Sequence, residues 1–212
     1  MGNRQSRRQK KRPAAYRPSP IAYSLAAVVF HTPLGWMGLA ASATGVRAIV
    51  LAKPSRRAAE NALAQRPDSK LDIRGSKYGG NGNLSRVTRH ALHEAQRQVM
   101  RYLAGKSRTL DFPLDLSSGT SFQRKVWQTA LRIPYGRARS YRWIASKIGG
   151  TRYARAVGNA LGANPVPLIV PCHRVVAHDA SLGGFSCGLT VKRKLLDLEG
   201  TLPLLKGGRR RT

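Results

Sequence analysis

A thiol and an imidazole are adjacent in this sequence, at Cys172 and His173, directly after the apolar run Leu168-Ile169-Val170 and Pro171. A cysteine is a strong nucleophile only as its thiolate, and a neighbouring base or cation is the usual means of lowering its pKa. The pair therefore predicts a site at which sulfur attacks. On residue types alone, Cys172 could instead be a small buried apolar residue.

The sequence around this pair resembles the active-site signature of a known family. Pro171 to Val175 reads PCHRV, and it follows the rigid segment NPVP at Asn164 to Pro167. Other matching segments occur in order: Val126-Trp127, Ile133-Pro134-Tyr135-Gly136, Ser140-Tyr141, Arg155-Ala156-Val157-Gly158 and Gly188-Leu189. From about Phe122 to about Gly200 the chain resembles the O6-alkylguanine-DNA alkyltransferases.

The resemblance implies a catalytic set of four residues. Cys172 corresponds to the nucleophile, His173 to its base, Glu199 to the carboxylate that orients the histidine, and Asn164 to the asparagine that supports the active-site turn. We expect Cys172 to lie on a strand, where successive side chains diverge, so that His173 reaches the thiol through a bridging water. A carboxylate stabilises imidazolium and so favours the thiolate. Without the resemblance, Glu199 is a solvated residue near a helix end, and Asn164 ends a helix before Pro165.

The resemblance also implies a DNA-binding set. Arg155 corresponds to an arginine that enters the minor groove and fills the gap left by an extruded base, and Tyr141 to a tyrosine that donates a hydrogen bond to the departing guanine. Ser140, Ala154 and Gly158 complete this set. Extrusion is required because the stacked duplex blocks an in-line approach of sulfur to the alkyl carbon. On residue types alone, Arg155 is a phosphate contact and Tyr141 a packing aromatic.

The base pocket is expected to combine the NPVP segment with a glycine-rich loop. Its predicted wall consists of Val166, Pro167, Leu182, Gly183, Gly184, Phe185 and Ser186. Glycines let backbone approach a flat base closely. Phe185 replaces the tyrosine usual in the family, which removes a hydroxyl but keeps a stacking face. Cys187 is a second departure, and it bears on the tolerance for bulky adducts.

The chain has two cysteines, Cys172 and Cys187, which are too few for a disulfide framework or a four-cysteine zinc site. They favour a reducing compartment. Together with His173 and His178 they could bind zinc, although the spacing is not a familiar ligand motif. They could also form a redox pair. The resemblance implies neither a metal nor a cofactor.

The charge of the chain predicts a polyanionic partner. Lys and Arg number 38 against 9 Asp and Glu, giving a net charge of +29. Nucleic acid is favoured over a membrane surface, because neutralisation of phosphates would drive binding in a salt-dependent way. No apolar run approaches the roughly 18 residues of a transmembrane helix. Ile21 to Phe30 imitates a signal peptide, but His31, Thr32 and Pro33 end that run. We expect a monomer that works on chromosomal DNA, in the cytoplasm or a nucleus, with cooperativity on DNA left open.

Turn residues divide the N-terminal half into β-rich and helical segments. Three segments, Tyr23 to Phe30, Trp36 to Ala41 and Val46 to Leu51, predict an antiparallel meander. Ser55 is expected to cap a helix that ends near Gln65. The region 66–83 predicts a surface loop, and a helix follows over 89–103, with Leu92, Gln96, Val99 and Leu103 at helical spacing.

The C-terminal half predicts short helices separated by glycines. Thr120 or Ser121 caps the first, Ser140 caps the second, and Gly149-Gly150 separates the second from a third helix that begins near Tyr153. The last two form a helix-turn-helix pattern. The predicted class is α/β (α+β), and the resemblance implies a ribonuclease-H-like sheet domain over 21–112 beside a DNA-binding and alkyl-transfer domain over 113–203. A basic arm (1–20) and a basic tail (204–212) flank them, and they either raise DNA affinity or only aid solubility.

These observations lead to one expected function and two alternatives. The expected function is DNA repair by irreversible transfer of a methyl or alkyl group from O6-alkylguanine, and secondarily O4-methylthymine, in duplex DNA to Cys172. The first alternative is a noncatalytic sensor of alkylated DNA, although relatives of that kind lack the cysteine. The second is a thiol hydrolase that uses Cys172 and His173 and needs no DNA.

Overall fold

The computed structural model describes residues 26–66 and 86–206. The strands and helices are β1 Ala26–Thr32, β2 Gly35–Ser42, β3 Gly45–Lys53, α1 Arg56–Ala64, α2 Arg86–Leu103, α3 Ser121–Leu131, β4 Arg139–Ser140, α4 Tyr141–Ile148, α5 Ala154–Gly162, β5 Val175–Val176 and α6 Leu189–Leu198. Short 3-10 turns lie at Thr151–Tyr153, Cys172–Arg174 and Leu202–Leu204. The predicted basic arm, most of the predicted 66–83 loop and most of the basic tail lie outside the described residues.

The first three strands form the predicted antiparallel meander, in the order β1-β2-β3. The β1–β2 turn is closed by Thr32, whose hydroxyl donates to the Gly35 carbonyl over 2.8 Å and accepts from the Leu34 amide over 3.1 Å. Gly35 has φ +108°, a backbone conformation that side-chain-bearing residues rarely adopt. The turn chemistry in the sequence therefore fixes the strand register.

The two faces of the sheet bury different partners, because alternate strand residues point to opposite sides. Ala40, Ala48 and Val50 pack with Leu63 of α1. Leu39, Ile49 and other alternate residues join a larger core that includes Tyr102 of α2, Trp127 of α3 and Val170 near the active site. This core is continuous from the sheet to the C-terminal helices.

Helix α1 agrees closely with its prediction, and helix α2 differs in two respects. Ser55 caps α1 by accepting from the Ala58 amide over 3.1 Å, and α1 ends at Ala64. Helix α2 begins at Arg86 rather than residue 89. Its buried face consists of Leu92, Ala95, Val99, Tyr102 and Leu103, whereas Gln96 is only half-buried. Helical spacing alone does not show which residues at the edge of the apolar face of a helix are buried.

The linker from α2 to α3 lies against the β2–β3 hairpin. The Val46 amide donates to the Pro113 carbonyl over 2.8 Å, and the Asp115 amide donates to the Val46 carbonyl over 3.0 Å. The Asp115 carboxylate accepts from the Ser42 hydroxyl at 2.7 Å and from Arg47 at 2.9 Å. These contacts join the two halves of the chain, and a domain boundary between 112 and 113 stays a prediction.

The C-terminal helices have the predicted caps. Thr120 forms a capping box with Gln123 at the start of α3, and Ser140 caps α4 through the Trp143 amide at 3.1 Å. Gly149 and Gly150 have positive φ angles and separate α4 from α5, as the helix-turn-helix pattern predicts. A parallel β4–β5 pairing sets the start of α4 beside the chain that follows the Cys172 turn. Within 26–66 and 86–206, no helix is long and apolar enough to cross a bilayer.

Candidate active site

Cys172 begins a single 3-10 turn, Cys172–Arg174, so the expected strand is wrong at this point. The turn forms because Pro171 fixes the preceding φ and its carbonyl accepts from the Arg174 amide over 2.9 Å. The β strand begins only at Val175. Cys172 is 4% exposed, and its thiol is therefore almost completely removed from solvent.

Asn164 fastens the segment that leads into Cys172. Its side-chain amide donates to Cys172 Sγ over 3.2 Å and to the Val170 carbonyl over 3.0 Å, while its Oδ1 accepts from the Val166 amide over 3.0 Å. Within this loop Leu168 has φ +80°, a strained conformation for a residue with a side chain. The buried amide thus places a hydrogen-bond donor directly against the sulfur.

His173 is fully buried, and its Nε2 lies 2.6 Å from Glu199 Oε1. Burial lowers the pKa of His173, and the positive charges of Arg174 and Lys192 act in the same direction, against the opposing effect of Glu199. A neutral imidazole that donates Nε2–H to the carboxylate carries its lone pair on Nδ1. Among the described residues Nδ1 has no hydrogen-bond partner, so it is available as a base.

Three groups besides His173 donate hydrogen bonds to the Glu199 carboxylate. Arg174 donates from Nε to Oε2 over 2.8 Å and from Nη2 to Oε1 over 3.2 Å, and the Gly136 amide donates to Oε2 over 3.2 Å. The Tyr102 hydroxyl donates to Oε1. Burial alone would raise the pKa of Glu199, but the hydrogen bonds and charges of His173 and Arg174 lower it to about 2. Because Arg174 supplies the counter-charge, His173 can stay neutral beside an ionised carboxylate.

Burial controls the acidity of the thiol. It raises the pKa of Cys172 to about 12, while the Asn164 hydrogen bond and the charge of Lys192 act in the opposite direction. Lys192 is itself fully buried, and its Nζ donates to the carbonyls of Val175 (2.6 Å), Leu182 and Gly184 (3.1 Å). Burial lowers the pKa of Lys192 to about 8. An isolated thiolate is disfavoured here, so the proton of Cys172 requires a nearby acceptor.

A surface groove of about 730 Å³ lies beside this buried site. It is lined by Tyr141, Arg142, Ala154, Arg155, Gly158, Asn159, Ala177, His178 and Gly184. Four of the predicted DNA-binding residues are in this set, and the fifth, Ser140, caps α4 beneath it. The Tyr141 hydroxyl donates to the Gly184 carbonyl over 3.3 Å, and burial together with nearby Cys172 raises the pKa of Tyr141, which keeps it a proton donor.

The residues predicted to line the base pocket are distributed over several environments. Gly184 lines the groove, and Gly183 approaches the Tyr141 ring so closely that an added Cβ would lie 3.0 Å from it. Phe185 is half-buried and packs against the main core, and Ser186 is exposed. Val166 and Pro167 are buried within the segment that leads into Cys172, and Leu182 is buried against Val176 and Leu196. Their role in binding a base stays a prediction.

Sequence reasoning missed Tyr102, Lys192 and the role of Arg174. Lys192 left a signal, because it occupies an apolar position of α6, three residues before the buried Leu195. Arg174 lies within the PCHRV motif, but its contact with Glu199 depends on the fold. Tyr102 belongs to an ordinary apolar stripe of α2, and nothing in that spacing indicates a carboxylate partner.

Cys172, His173, His178 and Cys187 are the four residues of the alternative zinc site. No group of three or more His, Cys, Asp and Glu side chains among residues 26–66 and 86–206 could hold a metal ion. Cys172 and Cys187 are free thiols, the first buried and the second half-buried. His178 lines the groove, whereas His173 is fully buried.

Comparison with known proteins connects this geometry with a family. Residues 121–201 match the family described as 6-O-methylguanine DNA methyltransferase, DNA binding domain. A methylated-DNA–protein-cysteine methyltransferase of Methanosarcina acetivorans is 45% identical over 108 residues, which cover 51% of this chain and 69% of that protein. A Mycobacterium bovis protein of the same name is 50% identical over 102 residues, which cover 48% of this chain and 61% of that protein.

Solved structures match most of the chain. The crystal structure of Mycobacterium tuberculosis OGT in complex with DNA has a TM-score of 0.63 at 33% identity, covering 82% of this chain and 93% of that one. The O6-methylguanine-DNA methyltransferase of Pyrococcus kodakaraensis has a TM-score of 0.53 at 26% identity, covering 83% and 99%. The fold and the buried cysteine site define a DNA alkyl-transfer protein. The chain belongs to the methylated-DNA–protein-cysteine methyltransferase family.

Proposed function

We propose that this chain repairs DNA by moving a methyl or other alkyl group from O6 of guanine in a duplex to Cys172, once per molecule. The observation that carries this proposal is the buried chain of contacts from Glu199 through His173 to the turn that holds Cys172. In support of the proposal, His173 has an Nδ1 without a hydrogen-bond partner among the described residues and follows Cys172 directly in this turn, and burial opposes ionisation of the thiol. The family membership supplies the substrate class.

The first step removes the thiol proton. The proton moves from Cys172 through a bridging water to Nδ1 of His173, and Glu199 stabilises the imidazolium that results. The Asn164 amide, 3.2 Å from the sulfur, and the nearby positive charge of Lys192 stabilise the thiolate. The thiolate and the imidazolium each have a stabilising partner in the buried site, and these interactions offset the cost of removing the two charges from water.

The second step is an in-line displacement at the alkyl carbon. A bond forms from sulfur to carbon as the bond from carbon to guanine O6 breaks, and the electron pair of that bond goes to the base. Tyr141 donates a proton to the departing base and regains one from the His173 imidazolium by way of solvent. The overall exchange gives S-methylcysteine and guanine. A thioether has no good leaving group, so Cys172 is not regenerated and no cofactor is consumed.

Binding of the duplex is assigned to the groove and helix α5. The small residues Ala154 and Gly158 let the DNA backbone approach, and Arg155, which is exposed in the groove, fills the space of the extruded base. Extrusion supplies the in-line geometry that the stacked duplex denies. O4-methylthymine offers the same kind of alkyl–oxygen bond and is the secondary substrate. The protein acts as a monomer on chromosomal DNA, in the cytoplasm or a nucleus.

Mass spectrometry tests this function directly. The full chain is incubated with a duplex that contains one O6-methylguanine, and intact and peptide masses are measured. We expect one added methyl per molecule, mapped to Cys172, absent from Cys172→Ala and retained in Cys187→Ala. Tight lesion-selective binding with an unmodified Cys172 would indicate a damage sensor instead. Repeated hydrolysis of a small ester or amide substrate in the absence of DNA, lost in Cys172→Ala, would indicate a thiol hydrolase.

A further inference from the structure

The Glu199 carboxylate receives one donor from the N-terminal half of the chain. His173, Arg174 and Gly136 all belong to the region after residue 120, whereas Tyr102 lies at the end of helix α2. The Tyr102 hydroxyl donates to Oε1, which is the same oxygen that accepts from His173 Nε2. Among the described residues, the N-terminal unit (26–66 and 86–112) therefore forms one hydrogen bond with the Glu199–His173 relay, through this buried hydroxyl.

The ring of Tyr102 is fixed independently of its hydroxyl. The side chain is fully buried, and its ring packs edge-on against Tyr135, with centroids 5.7 Å apart and planes at 78°. Arg174 Nη2 donates to the hydroxyl oxygen over 3.2 Å, so the hydroxyl is both acceptor and donor. Burial and the adjacent Glu199 carboxylate raise the pKa of Tyr102, so the phenol keeps its proton and remains a donor.

A second contact joins the same two parts of the molecule. The Ile49 amide of β3 donates to the Pro165 carbonyl over 2.8 Å, inside the segment that Asn164 organises. The N-terminal unit thus contacts the active site at the turn before Cys172 and at the carboxylate behind His173. These contacts give the N-terminal unit a role in the geometry of the reaction.

We propose that Tyr102 is a positioning residue that sets the orientation and charge of Glu199, and through it the basicity of His173. The inference rests on the proposed methyl transfer, because His173 is the base of that reaction. A hydroxyl that donates to Oε1 draws negative charge away from the histidine. Its removal leaves more charge on Oε1, stabilises the imidazolium in the resting protein and frees the carboxylate to rotate.

The test compares the full-length variants Tyr102→Phe and Tyr135→Phe. Tyr135 is the matched control, because its hydroxyl donates to the Leu198 carbonyl over 2.9 Å and not to the carboxylate. Single-turnover methyl transfer from an O6-methylguanine duplex is measured between about pH 5 and pH 9. We expect Tyr102→Phe to be slower by about tenfold, the loss of one hydrogen bond to a charged group, with the acidic limb of the profile moved to higher pH. Tyr135→Phe should stay within about twofold of the parent, with an unmoved profile.

A double-mutant cycle with Glu199→Gln shows whether Tyr102 acts through the carboxylate. The effect of Tyr102→Phe on the rate should disappear in the Glu199→Gln background. Equal changes in the two tyrosine variants, or an unchanged pH profile in Tyr102→Phe, would overturn the proposal. So would a full effect of Tyr102→Phe in the absence of Glu199.

Two further measurements keep the test decisive. The rate at which a small haloacetamide modifies Cys172, read by peptide mass spectrometry, needs no DNA; it should show the same limb shift even if methyl transfer itself fails. If Tyr102→Phe does not fold, 3-fluorotyrosine is placed at position 102. As a stronger donor it should move the acidic limb to lower pH, and an unmoved limb would refute the role of Tyr102.

Discussion

Asn164 contributes to both the reactivity and the stability of the active site. One small side chain makes three buried hydrogen bonds, to Cys172 Sγ, the Val170 carbonyl and the Val166 amide. Two of them hold the strained turn, and the third points at the nucleophile. A buried amide of this kind is costly to remove, because the Val166 amide loses its hydrogen-bond acceptor and the Val170 carbonyl keeps only the Cys172 amide as a donor.

Replacement of Asn164 by alanine should therefore lower two quantities. We expect the free energy of unfolding to fall by about 2–4 kcal/mol, since the Val166 amide and the Val170 carbonyl are left without this partner. Methyl transfer should slow by at least about tenfold, because the thiolate loses a donor. Urea denaturation and single-turnover kinetics measure these changes. The exposed Asn159, on α5, is the control for stability, where alanine should change it by less than about 0.5 kcal/mol. Equal losses of unfolding free energy in Asn164→Ala and Asn159→Ala would contradict this account.

The candidate catalytic residues could be named from the sequence because they belong to motifs, whereas a positioning residue that depends on a distant contact, such as Tyr102, could not. Cys172, His173 and Asn164 lie within nine residues of one another, so a short motif is sufficient to identify them. Tyr102 is 97 residues from Glu199 in the chain, and their contact depends on how α2 packs against the C-terminal half. The 3-10 turn at Cys172 was also missed, because an apolar run followed by Val175 and Val176 is equally compatible with a continuous strand.

At the scale of elements, the Asp115 carboxylate joins the linker after α2 to the sheet, in addition to the backbone hydrogen bonds of that linker. Asp115 accepts from Ser42, Arg47 and Ser117, and so joins the β2–β3 hairpin to the segment that leads into α3. Burial alone would raise the pKa of Asp115, but hydrogen bonds from these three residues hold it well below its ordinary range. The turns and caps around this linker were predictable, because Gly, Ser and Thr act locally. The cluster was not, because Ser42 and Arg47 are about 70 residues from Asp115 in the chain.

The depressed pKa of Asp115 makes a specific prediction about acid stability. A carboxylate with a lowered folded-state pKa contributes stability above its unfolded pKa of about 4, and loses it as the pH falls further. We expect Asp115→Asn to lower the free energy of unfolding at pH 7 by about 1–3 kcal/mol and to weaken its decline between about pH 5 and pH 2. Denaturant titrations across this range measure both effects. Asp111→Asn, at an exposed position of the same linker, should leave stability and its pH dependence nearly unchanged.

At the scale of the whole molecule, positive charge far exceeds what the groove can use. The chain has 38 Lys and Arg residues, and the groove is lined by Arg142 and Arg155. Seven of the 38 lie in the first twenty residues, outside the part of the chain that the structure describes. Charge that is not needed for recognition still strengthens nonspecific binding, because each phosphate neutralised releases counterions to the solvent. A protein that acts once must find rare lesions, and loose binding to undamaged DNA serves that search.

The salt dependence of DNA affinity shows whether the basic arm (1–20) binds DNA during the search or only keeps the protein soluble. Deleting residues 1–20 removes seven of the positive charges and leaves a net charge of +22, reduced from +29. The slope of log affinity against log salt for undamaged duplex should become shallower by roughly 0.9 for each phosphate that the arm no longer neutralises, up to about six in total. Methyl transfer at saturating DNA should not change, because the site lies within residues 26–206. A full-length variant with the seven basic residues replaced by Gln controls for chain length and should match the deletion. An unchanged slope would mean that the arm does not contact DNA, and that the charge of the rest of the chain is sufficient for nonspecific binding.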